Sequence, residues 1–226
     1  MMRELQVVFD DLVDYEKALE QQINWVASKR NHPESPDILW LLSHPEVITL
    51  GARKSSSSNL LGQTSIPVHQ ITRGGDITYH DPGQITGYLL FSLTENERDL
   101  RKFLRNIEES IIQALMETSK IDCPHLQKRI ENSLHREEGK TGVFFQERKI
   151  CSIGISCRHW ISFHGFSLNF DSNLKNYALM NPCGMEASLM GNLEDLAPIS
   201  RCSFLEIYPK ICSKIFSRKL LDRAEN

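Results

Sequence analysis

The sequence predicts an α+β domain on the basis of two patterns. Short apolar runs bounded by turn residues, typical of strands and hairpins, occur along most of the chain. Three longer stretches repeat apolar residues at helical spacing instead. The 226 residues show no internal repeat and no interdomain linker, so we expect a single domain over residues 1–226. This mixture of hairpins and separate helices is typical of α+β proteins.

Composition excludes several functional classes. Charged residues make up 24% of the chain, and the net charge of −3 argues against a dedicated nucleic-acid binder. No apolar run approaches the roughly 20 residues that span a membrane. Charged residues also follow Met1 and Met2, where a signal peptide needs an apolar stretch, so we expect a cytoplasmic protein. Six cysteines without C-x-x-C spacing are expected to be reduced thiols, with no metal site.

In the first half of the chain the patterns predict six strands and one helix. The strands cover residues 5–9, 38–43, 47–50, 68–72, 77–80 and 85–93. The helix covers residues 12–29, where the apolar stripe consists of Leu12, Tyr15, Leu19, Ile23 and Val26. The four serines at 55–58 are expected to form a mobile loop near the surface.

The clearest helix follows these strands. Its apolar stripe consists of Leu100, Phe103, Leu104, Ile107, Ile111 and Leu115. The roughly opposite face is basic and consists of Arg98, Arg101, Lys102 and Arg105. This face either docks an acidic partner protein or is simply solvated.

The remaining elements are predicted from turn signals and periodicity. Residues 119–141 are polar and irregular and are expected to form a long loop. Residues 143–146 and 149–156 predict a hairpin, and residues 160–170 predict a strand broken at His164-Gly165. Residues 203–221 have a helical pattern in which Pro209 starts or kinks the helix.

Cys183 is the first candidate catalytic residue. It lies in the turn Asn181-Pro182-Cys183-Gly184, where Gly184 places no side chain in the way of a ligand. A nearby cation lowers the pKa of a thiol from about 8.5, and Lys149 is the candidate cation. A thiolate helped by one lysine suits acyl transfer through a thioester. The alternative is a packed cysteine and a surface lysine at a hairpin end.

Two glycine-containing clusters are candidate binding segments. Arg73-Gly74-Gly75 precedes Tyr79-His80, and paired glycines offer N–H groups that can hold a carbonyl oxygen. His164-Gly165 lies within a predicted strand, where a glycine often marks close backbone approach. The alternatives are a tight turn and a structural histidine. Gly139-Lys140-Thr141 is not a phosphate-binding loop, because Leu134 stands where that motif requires glycine.

Three blocks of sequence carry a resemblance to a known family. The blocks run from Arg73-Gly74-Gly75 to Pro82-Gly83-Gln84, from Gly142-Val143-Phe144 to Ile153-Gly154-Ile155, and from Phe163-His164-Gly165 to Asn181-Pro182-Cys183-Gly184. In this order and spacing they resemble the lipoyl(octanoyl) transferase family, the octanoyl-[acyl-carrier-protein]:protein N-octanoyltransferases of the lipoate protein ligase B type. Weaker similarity extends over roughly residues 38–195.

The resemblance implies a fold, an activity and a site. The fold is like the biotin/lipoate protein ligase catalytic domain, with a mixed curved sheet flanked by helices. The activity is transfer of octanoyl from acyl carrier protein to a specific lysine of a lipoyl domain, without a cofactor. Cys183 matches the acyl-accepting nucleophile and Lys149 its acid/base partner. The implied walls of the acyl pocket are Arg73, Gly74, Gly75, Tyr79, His80, Ser152, Ile153, Gly154, His164 and Gly165.

The resemblance also implies partners and leaves alternatives open. The acceptors would be lipoyl domains of 2-oxoacid dehydrogenase complexes and the glycine cleavage H protein. The alternatives are an ATP-dependent lipoate ligase or an octanoyl amidotransferase of the same fold, or a non-catalytic module that binds lipoyl domains or carrier protein. One residue departs from the family pattern: Asp81 stands where the family usually has glycine, which places a carboxylate beside the expected pocket.

Overall fold

A computed structural model describes residues 2–182 and 185–221 of the protein. In chain order the elements are β1 (Arg3–Leu12), α1 (Tyr15–Asn31), β2 (Asp37–Ser43), β3 (Val47–Leu50), β4 (Val68–Gln70), β5 (Thr78–His80), β6 (Gln84–Leu90), α2 (Leu100–Asp122), α3 (Gln127–Ser133), β7 (Leu134–His135), β8 (Gly142–Phe145), β9 (Arg148–Arg158), β10 (Ile161–Asn169), α4 (Leu193–Leu196), α5 (Arg201–Ile215) and β11 (Arg218–Leu220). Short 3₁₀ turns lie at Glu95–Glu97, Pro124–Leu126, Leu174–Leu179 and Ala187–Leu189.

The strands form two sheets. The larger sheet has the strand order β11-β1-β2-β6-β10-β9-β8-β7, and the smaller has the order β4-β3-β5. Strand β1 runs parallel to both β2 and β11, whereas the other neighbours in the larger sheet are antiparallel. The sheet is therefore mixed and flanked by helices, which confirms the predicted fold class.

Helices cover both faces of the larger sheet. Helices α2 and α5 pack on one face, where Phe103, Ile111 and Tyr208 join the main core. Helix α1 covers the other face through Ala18 and Val26. The apolar stripe predicted for α1 is partly wrong, because Leu12 and Ile23 are solvent-exposed while Ala18 and the polar Gln22 are buried. None of the described helices is long and apolar enough to cross a membrane.

The prediction of a long loop over residues 119–141 is wrong. Helix α2 continues to Asp122, and α3 and β7 follow it. Thr118 and Ser119 are buried near the end of α2, where each donates its hydroxyl to a carbonyl oxygen of the same helix at 2.7 Å. Internal hydrogen bonds of this kind let a polar sequence remain helical inside a core.

Three other predictions need adjustment. The last helix ends at Ile215 rather than running to Leu221, because β11 then pairs with β1. Strand β10 is continuous through residue 164, although His164 has a left-handed φ of 60°. The serines at 55–58 were expected to form a mobile loop near the surface, but Ser56 is buried.

The predicted hairpin over residues 143–156 is confirmed as β8 and β9. Cys123, Cys151, Cys157, Cys202 and Cys212 form no disulfide bond within the described residues.

Asp37 forms a buried cluster of charges that joins the two ends of the chain. Its carboxylate lies 2.7 Å from Arg218 Nε, 3.0 Å from Lys29 Nζ and 3.3 Å from Arg3 Nη2. The side chains of Asp37, Lys29 and Arg218 are at most 3% exposed. Burial lowers the pKa of Lys29, although Asp37 opposes this shift. The cluster therefore links β1, α1, β2 and β11.

We predict that Asp37→Asn destabilises the protein by about 3–5 kcal/mol, because it leaves two buried cations without their shared carboxylate. Urea unfolding at pH 7 measures this loss. The matched control is Arg3→Gln, which removes a partly exposed member of the same cluster and should cost about 1 kcal/mol or less. An Asp37→Asn protein as stable as the Arg3→Gln protein would contradict the proposed importance of the cluster.

Candidate active site

A cavity of about 340 Å³ lies against the centre of the larger sheet. Strands β6, β9 and β10, the loop of residues 73–77, Tyr15 of α1 and two leucines of α2 contribute to its lining. Its volume falls in the range of small-molecule sites. Ten of the residues predicted for the site line it, namely Arg73, Gly74, Gly75, His80, Lys149, Ser152, Ile153, Gly154, His164 and Gly165.

Small side chains make the floor of the cavity. Ser152 of β9 pairs with Ser167 of β10, which pairs with Thr86 of β6, so these three residues form one row across three adjacent strands. They lie on the face opposite the main core, because side chains alternate along a strand and the neighbouring Ile85 and Leu168 belong to that core. The floor is therefore shallow, which leaves room for a ligand above it.

A β-bulge turns Lys149 into the cavity. Along β9, Cys151 and Ile153 face the main core, and regular alternation would place Lys149 on that same face. The register of β8 and β9 shifts instead between Val143 and Phe144, so that Phe144 pairs with Lys149 and Val143 with Cys151. The extra residue, Ile150, reverses the alternation. Lys149 consequently lines the cavity while only 4% exposed.

Gly142 gives the Lys149 side chain its space. A Cβ atom at Gly142 would lie 2.6 Å from Lys149 Cε and 2.4 Å from the Cys151 carbonyl oxygen. Gly142 also has a φ of +140°, which disfavours other residues. Its amide donates to Glu108 Oε1 at 2.9 Å, which anchors the start of β8 to α2. Any larger residue at this position would displace the lysine.

The loop after Arg73 is held against β9 by glycine packing. The Gly74 amide donates to the Ile155 carbonyl oxygen at 2.8 Å, and a Cβ atom at Gly154 would lie 2.7 Å from the Gly74 carbonyl oxygen. The prediction that both glycine amides can hold a carbonyl oxygen is therefore wrong for Gly74, whose N–H is already used. The amide of Gly75, which has a φ of +89°, remains as the candidate donor to a carbonyl oxygen.

Cys183 and Gly184 lie outside the described residues. The positions on either side of them are described, and both Pro182 and Met185 line the cavity. A few residues further on, the Gly191 amide donates to the Lys149 carbonyl oxygen at 3.0 Å. The segment that follows Cys183 therefore returns to β9 at Lys149.

Tyr79 is the predicted site residue that does not line the cavity. It lies between Thr78 and His80 on β5, both of which line the cavity, so alternation directs Tyr79 to the other side. There its hydroxyl donates to Glu46 Oε1 at 2.6 Å and accepts from Asn176 Nδ2 at 2.8 Å. Tyr79 thus supports the loop near Asn176 and has no contact surface in the cavity.

Comparison with known proteins shows the family to which the chain belongs. The family model of the lipoyl protein ligase A/B catalytic domain matches residues 14–215. A protein named octanoyltransferase from Prochlorococcus marinus (strain NATL1A) is 37% identical over 191 residues, which cover 83% of this chain and 73% of that protein. Another of the same name, from Gloeobacter violaceus, is 34% identical over 209 residues, 89% of each chain. The chain belongs to the octanoyltransferases of the lipoyl protein ligase A/B family.

This membership confirms the family and the acyltransferase class predicted from the three sequence blocks. A solved structure of lipoate-protein ligase A bound with ATP superposes with a TM-score of 0.69 and covers 100% of this chain and 90% of that one. At 13% sequence identity this likeness shows the fold alone. The likeness therefore does not identify the acyl donor, on which only the residues of the site bear.

Sequence reasoning missed the aromatic wall that closes the cavity behind His80 and His164. Tyr15 and Tyr88 line this end. His44 fixes Tyr88 from behind: its Nδ1 lies 2.6 Å from the Val13 carbonyl oxygen and its Nε2 lies 2.7 Å from the Tyr88 hydroxyl. Because a carbonyl oxygen can only accept, His44 carries its proton on Nδ1 and the Tyr88 hydroxyl donates to Nε2.

The histidines of this wall are neutral. Burial lowers the pKa of His44 to about 4, against a weaker opposing effect of its bond to Val13. Burial, followed by the charges of Arg73 and Arg158, lowers the pKa of His164 to about 3. Burial also lowers the pKa of His80 well below its usual value, and the nearby His44 and Arg73 act in the same direction. These three histidines are thus uncharged at neutral pH.

Arg73 is held by the small sheet. Its guanidinium donates to the Thr49 carbonyl oxygen at 3.1 Å and to Thr49 Oγ1 at 2.9 Å. His80 Nδ1 lies 3.1 Å from Gln84 Oε1, an acceptor, so that this nitrogen carries the proton of the neutral ring. The cation therefore reaches the cavity from a fixed position, next to imidazoles that stay neutral.

Asp81 faces away from the cavity, contrary to the expectation that it would place a carboxylate beside it. Its Oδ2 accepts from Ser172 Oγ at 2.9 Å and from the Asn173 amide at 2.6 Å. Burial raises its pKa, and these two hydrogen bonds oppose the shift. Its φ is not in the left-handed region either, so the turn does not require glycine here. Asp81 therefore acts on the loop at residues 172–173.

We predict that stability falls as the pH drops from about 6.5 toward 4. The unfolded chain binds protons at its histidines near pH 6.5, whereas the folded His44 binds its proton near pH 4 and His164 near pH 3. Stability is therefore complete above pH 6.5 and is lost below it, at about 1 kcal/mol per pH unit for each histidine. Urea unfolding at several pH values between 7.5 and 5 measures this slope.

His44→Gln should reduce the free energy of unfolding at pH 7.5. It should also make the dependence of that free energy on pH shallower, by up to the contribution of one bound proton. The solvent-exposed His125 provides the matched control, since His125→Gln should leave the slope as it is. An equal slope in the wild-type and His44→Gln proteins would contradict a neutral, buried His44.

Proposed function

We propose that this protein transfers an octanoyl group from octanoyl-acyl carrier protein to a specific lysine of a lipoyl domain, through a thioester on Cys183. One observation carries the proposal. The cavity is lined by Lys149 and by Pro182 and Met185, the described neighbours of Cys183-Gly184, in a chain that belongs to the octanoyltransferases. The reaction would be the first step of endogenous protein lipoylation and would take place in the cytoplasm.

The first half-reaction exchanges one thioester for another. The Cys183 thiol passes its proton to Lys149, and the thiolate attacks the carbonyl carbon of the donor thioester. Collapse of the tetrahedral intermediate breaks the bond to the pantetheine sulfur, which takes a proton back from Lys149. The Gly75 amide and the fixed Arg73 guanidinium are the candidate groups to stabilise the oxyanion. Bond types are conserved, so no ATP is consumed.

The second half-reaction forms an amide. The neutral amine of the acceptor lysine attacks the acyl group on Cys183, and Lys149 accepts the proton that the new amide nitrogen loses. The Cys183 sulfur leaves and is reprotonated. The acceptors we expect are lipoyl domains of 2-oxoacid dehydrogenase complexes and the glycine cleavage H protein.

The alternatives differ in what they require. An ATP-dependent lipoate ligase needs a nucleotide and no catalytic cysteine. An octanoyl amidotransferase shares the cysteine but takes the acyl group from a carrier domain through an amide. A non-catalytic binding module has no use for Lys149, which a bulge and Gly142 direct into the cavity. We therefore favour the transferase, acting as a single catalytic domain over residues 1–226.

We predict an octanoyl adduct on Cys183. After mixing with octanoyl-acyl carrier protein and without ATP, the intact mass of the wild-type protein should rise by one octanoyl group that hydroxylamine removes. Cys183→Ser should abolish the adduct and the transfer while leaving the melting temperature nearly unchanged, because the sulfur is needed for chemistry and not for packing.

Cys202→Ser is the matched control, since Cys202 is an exposed free thiol. It should keep the adduct, which excludes adventitious acylation of a surface cysteine. If the wild-type protein forms no adduct with an active donor, or if Cys183→Ser still forms it, the thioester route is wrong. Transfer that depends on ATP would favour the ligase.

The basic face of α2 is the candidate docking surface for the carrier protein. Arg101 and Lys102 are exposed on the first turn of α2, beside Leu100 and one turn before Leu104, which both line the cavity. Arg98 stacks over the exposed Trp160 at 5.4 Å. Charge complementarity with an acidic carrier would guide its pantetheine arm to the cavity mouth.

We predict that Arg101→Glu/Lys102→Glu lowers kcat/KM for octanoyl-acyl carrier protein at least tenfold, and that for S-octanoyl pantetheine less than twofold. Arg105 is unsuitable for this test, because it pairs with the buried Glu108, whose other oxygen anchors Gly142. Steady-state transfer rates with both donors, at low and moderate salt, measure the effect.

The matched control is Lys210→Glu/Lys214→Glu, which makes the same charge change on exposed positions of α5. This control should leave both donors within twofold of wild type. Equal losses with both donors in the α2 variant, or equal losses in the two variants with carrier protein, would remove the docking surface.

A further inference from the structure

We infer that the row Ser152–Ser167–Thr86 measures the length of the acyl chain, with Thr86 under its far end. The inference rests on the proposed function and adds the determinant of substrate length. The first observation is the register of the sheet. The row crosses β9, β10 and β6 with one small residue on each strand, and all three residues line the cavity.

The reacting end of the cavity lies on the β9 side. Lys149 is on β9, three residues before Ser152, and Met190-Gly191 meets β9 at Lys149. The closed end lies on the β6 side, because Thr86 pairs with Leu42 of β2, which is buried in the cluster that α1 covers. A chain that starts near Lys149 therefore passes over Ser152, Ser167 and Thr86 in that order.

The dimensions of the row suit a medium-length chain. Neighbouring strands are about 4.8 Å apart, so the path from β9 to β6 is about 10 Å long. An extended chain of eight carbons has a similar length. A chain of four to six carbons would end above β10, and a chain of ten or more would meet Leu42, the partner of Thr86 on β2.

The wall of Tyr88 and His164 beside the row is fixed as well, so that a longer chain has no room to turn along β6. Tyr88 is held by His44, which is held in turn by the Val13 carbonyl oxygen. The His164 amide donates to Gln22 Oε1 of α1 at 2.7 Å. Side chains at the end of the cavity are thus tied to both β6 and α1.

Thr86 itself is well suited to a volume test. It is 1% exposed, and within the described ranges 2–182 and 185–221 its Oγ1 has no hydrogen-bond partner. Thr86→Val therefore keeps the shape of the side chain without breaking a hydrogen bond, whereas Thr86→Leu adds volume over the floor at β6. Ser167→Val adds volume one strand nearer to Lys149.

The experiment measures acyl-enzyme formation from S-acyl pantetheines of four to twelve carbons, which avoids any docking of carrier protein. The wild-type protein should react fastest with the eight-carbon donor. Thr86→Leu should lower the eight-carbon rate at least tenfold and leave the four-carbon rate within threefold. Ser167→Val should move the optimum to still shorter chains, and Thr86→Val should leave it at eight carbons.

Each outcome separates this inference from the proposed function. If the wild-type protein reacts with no donor, the proposed function fails. If it reacts but a folded Thr86→Leu protein loses the same factor at every chain length, the chain does not pass over β6 and the inference is wrong. Should Thr86→Leu not fold, as judged by its melting temperature, the optimum of Ser167→Val decides: an optimum still at eight carbons overturns the inference.

Discussion

The β-bulge between β8 and β9 is the local feature on which the candidate site depends. Without Ile150 as an extra residue, Lys149 would share the face of Cys151 and Ile153 and would be buried in an apolar core, where its charge could not be accommodated. The bulge in turn requires Gly142, whose missing side chain leaves the space that the lysine occupies. Glu108 of α2 holds the Gly142 amide. A helix on one face of the sheet therefore positions a cation on the other.

At the far end of the cavity, buried polar side chains stay neutral and form chains of hydrogen bonds. The Tyr88 hydroxyl donates to His44, and His44 donates to a carbonyl oxygen. His80 donates to Gln84, whose amide group donates in turn to Asn169 Oδ1 at 2.9 Å. Each of these two chains of donors ends in an acceptor, so Tyr88, His44 and His80 are hydrogen-bonded without a charge, whereas His164 Nε2 has no hydrogen-bond partner among the described residues. Such a wall is rigid, and it stabilises the fold while it shapes the cavity.

The sequence predicted the helices and strands of the backbone to a different extent from the residues of the candidate site. Local periodicity predicted α2 and the β8–β9 hairpin, because their apolar spacing reports a single buried face. The end of α2 was missed, because Thr118 and Ser119 look like loop residues in the sequence although their hydroxyls bond within the helix. Helix α3 has seven residues, which is too short to show a helical period. Sequence blocks gathered ten lining residues, but the strand of three residues around Tyr79 is too short to show which side faces the cavity. Tyr15, Tyr88 and His44 were missed because their contact is made only by tertiary packing.

The neutral wall also has a consequence for the acceptor. Lysine in water is protonated, so an incoming lysine is not a nucleophile until it loses a proton. The desolvation that lowers the pKa of the lining residue His164 to about 3 also disfavours the charged form of any amine that enters the cavity. The charge of Arg73 acts in the same direction, since a like charge lowers the pKa of an ammonium group. A cavity whose lining histidines stay neutral therefore favours the neutral amine of an incoming lysine over its ammonium form.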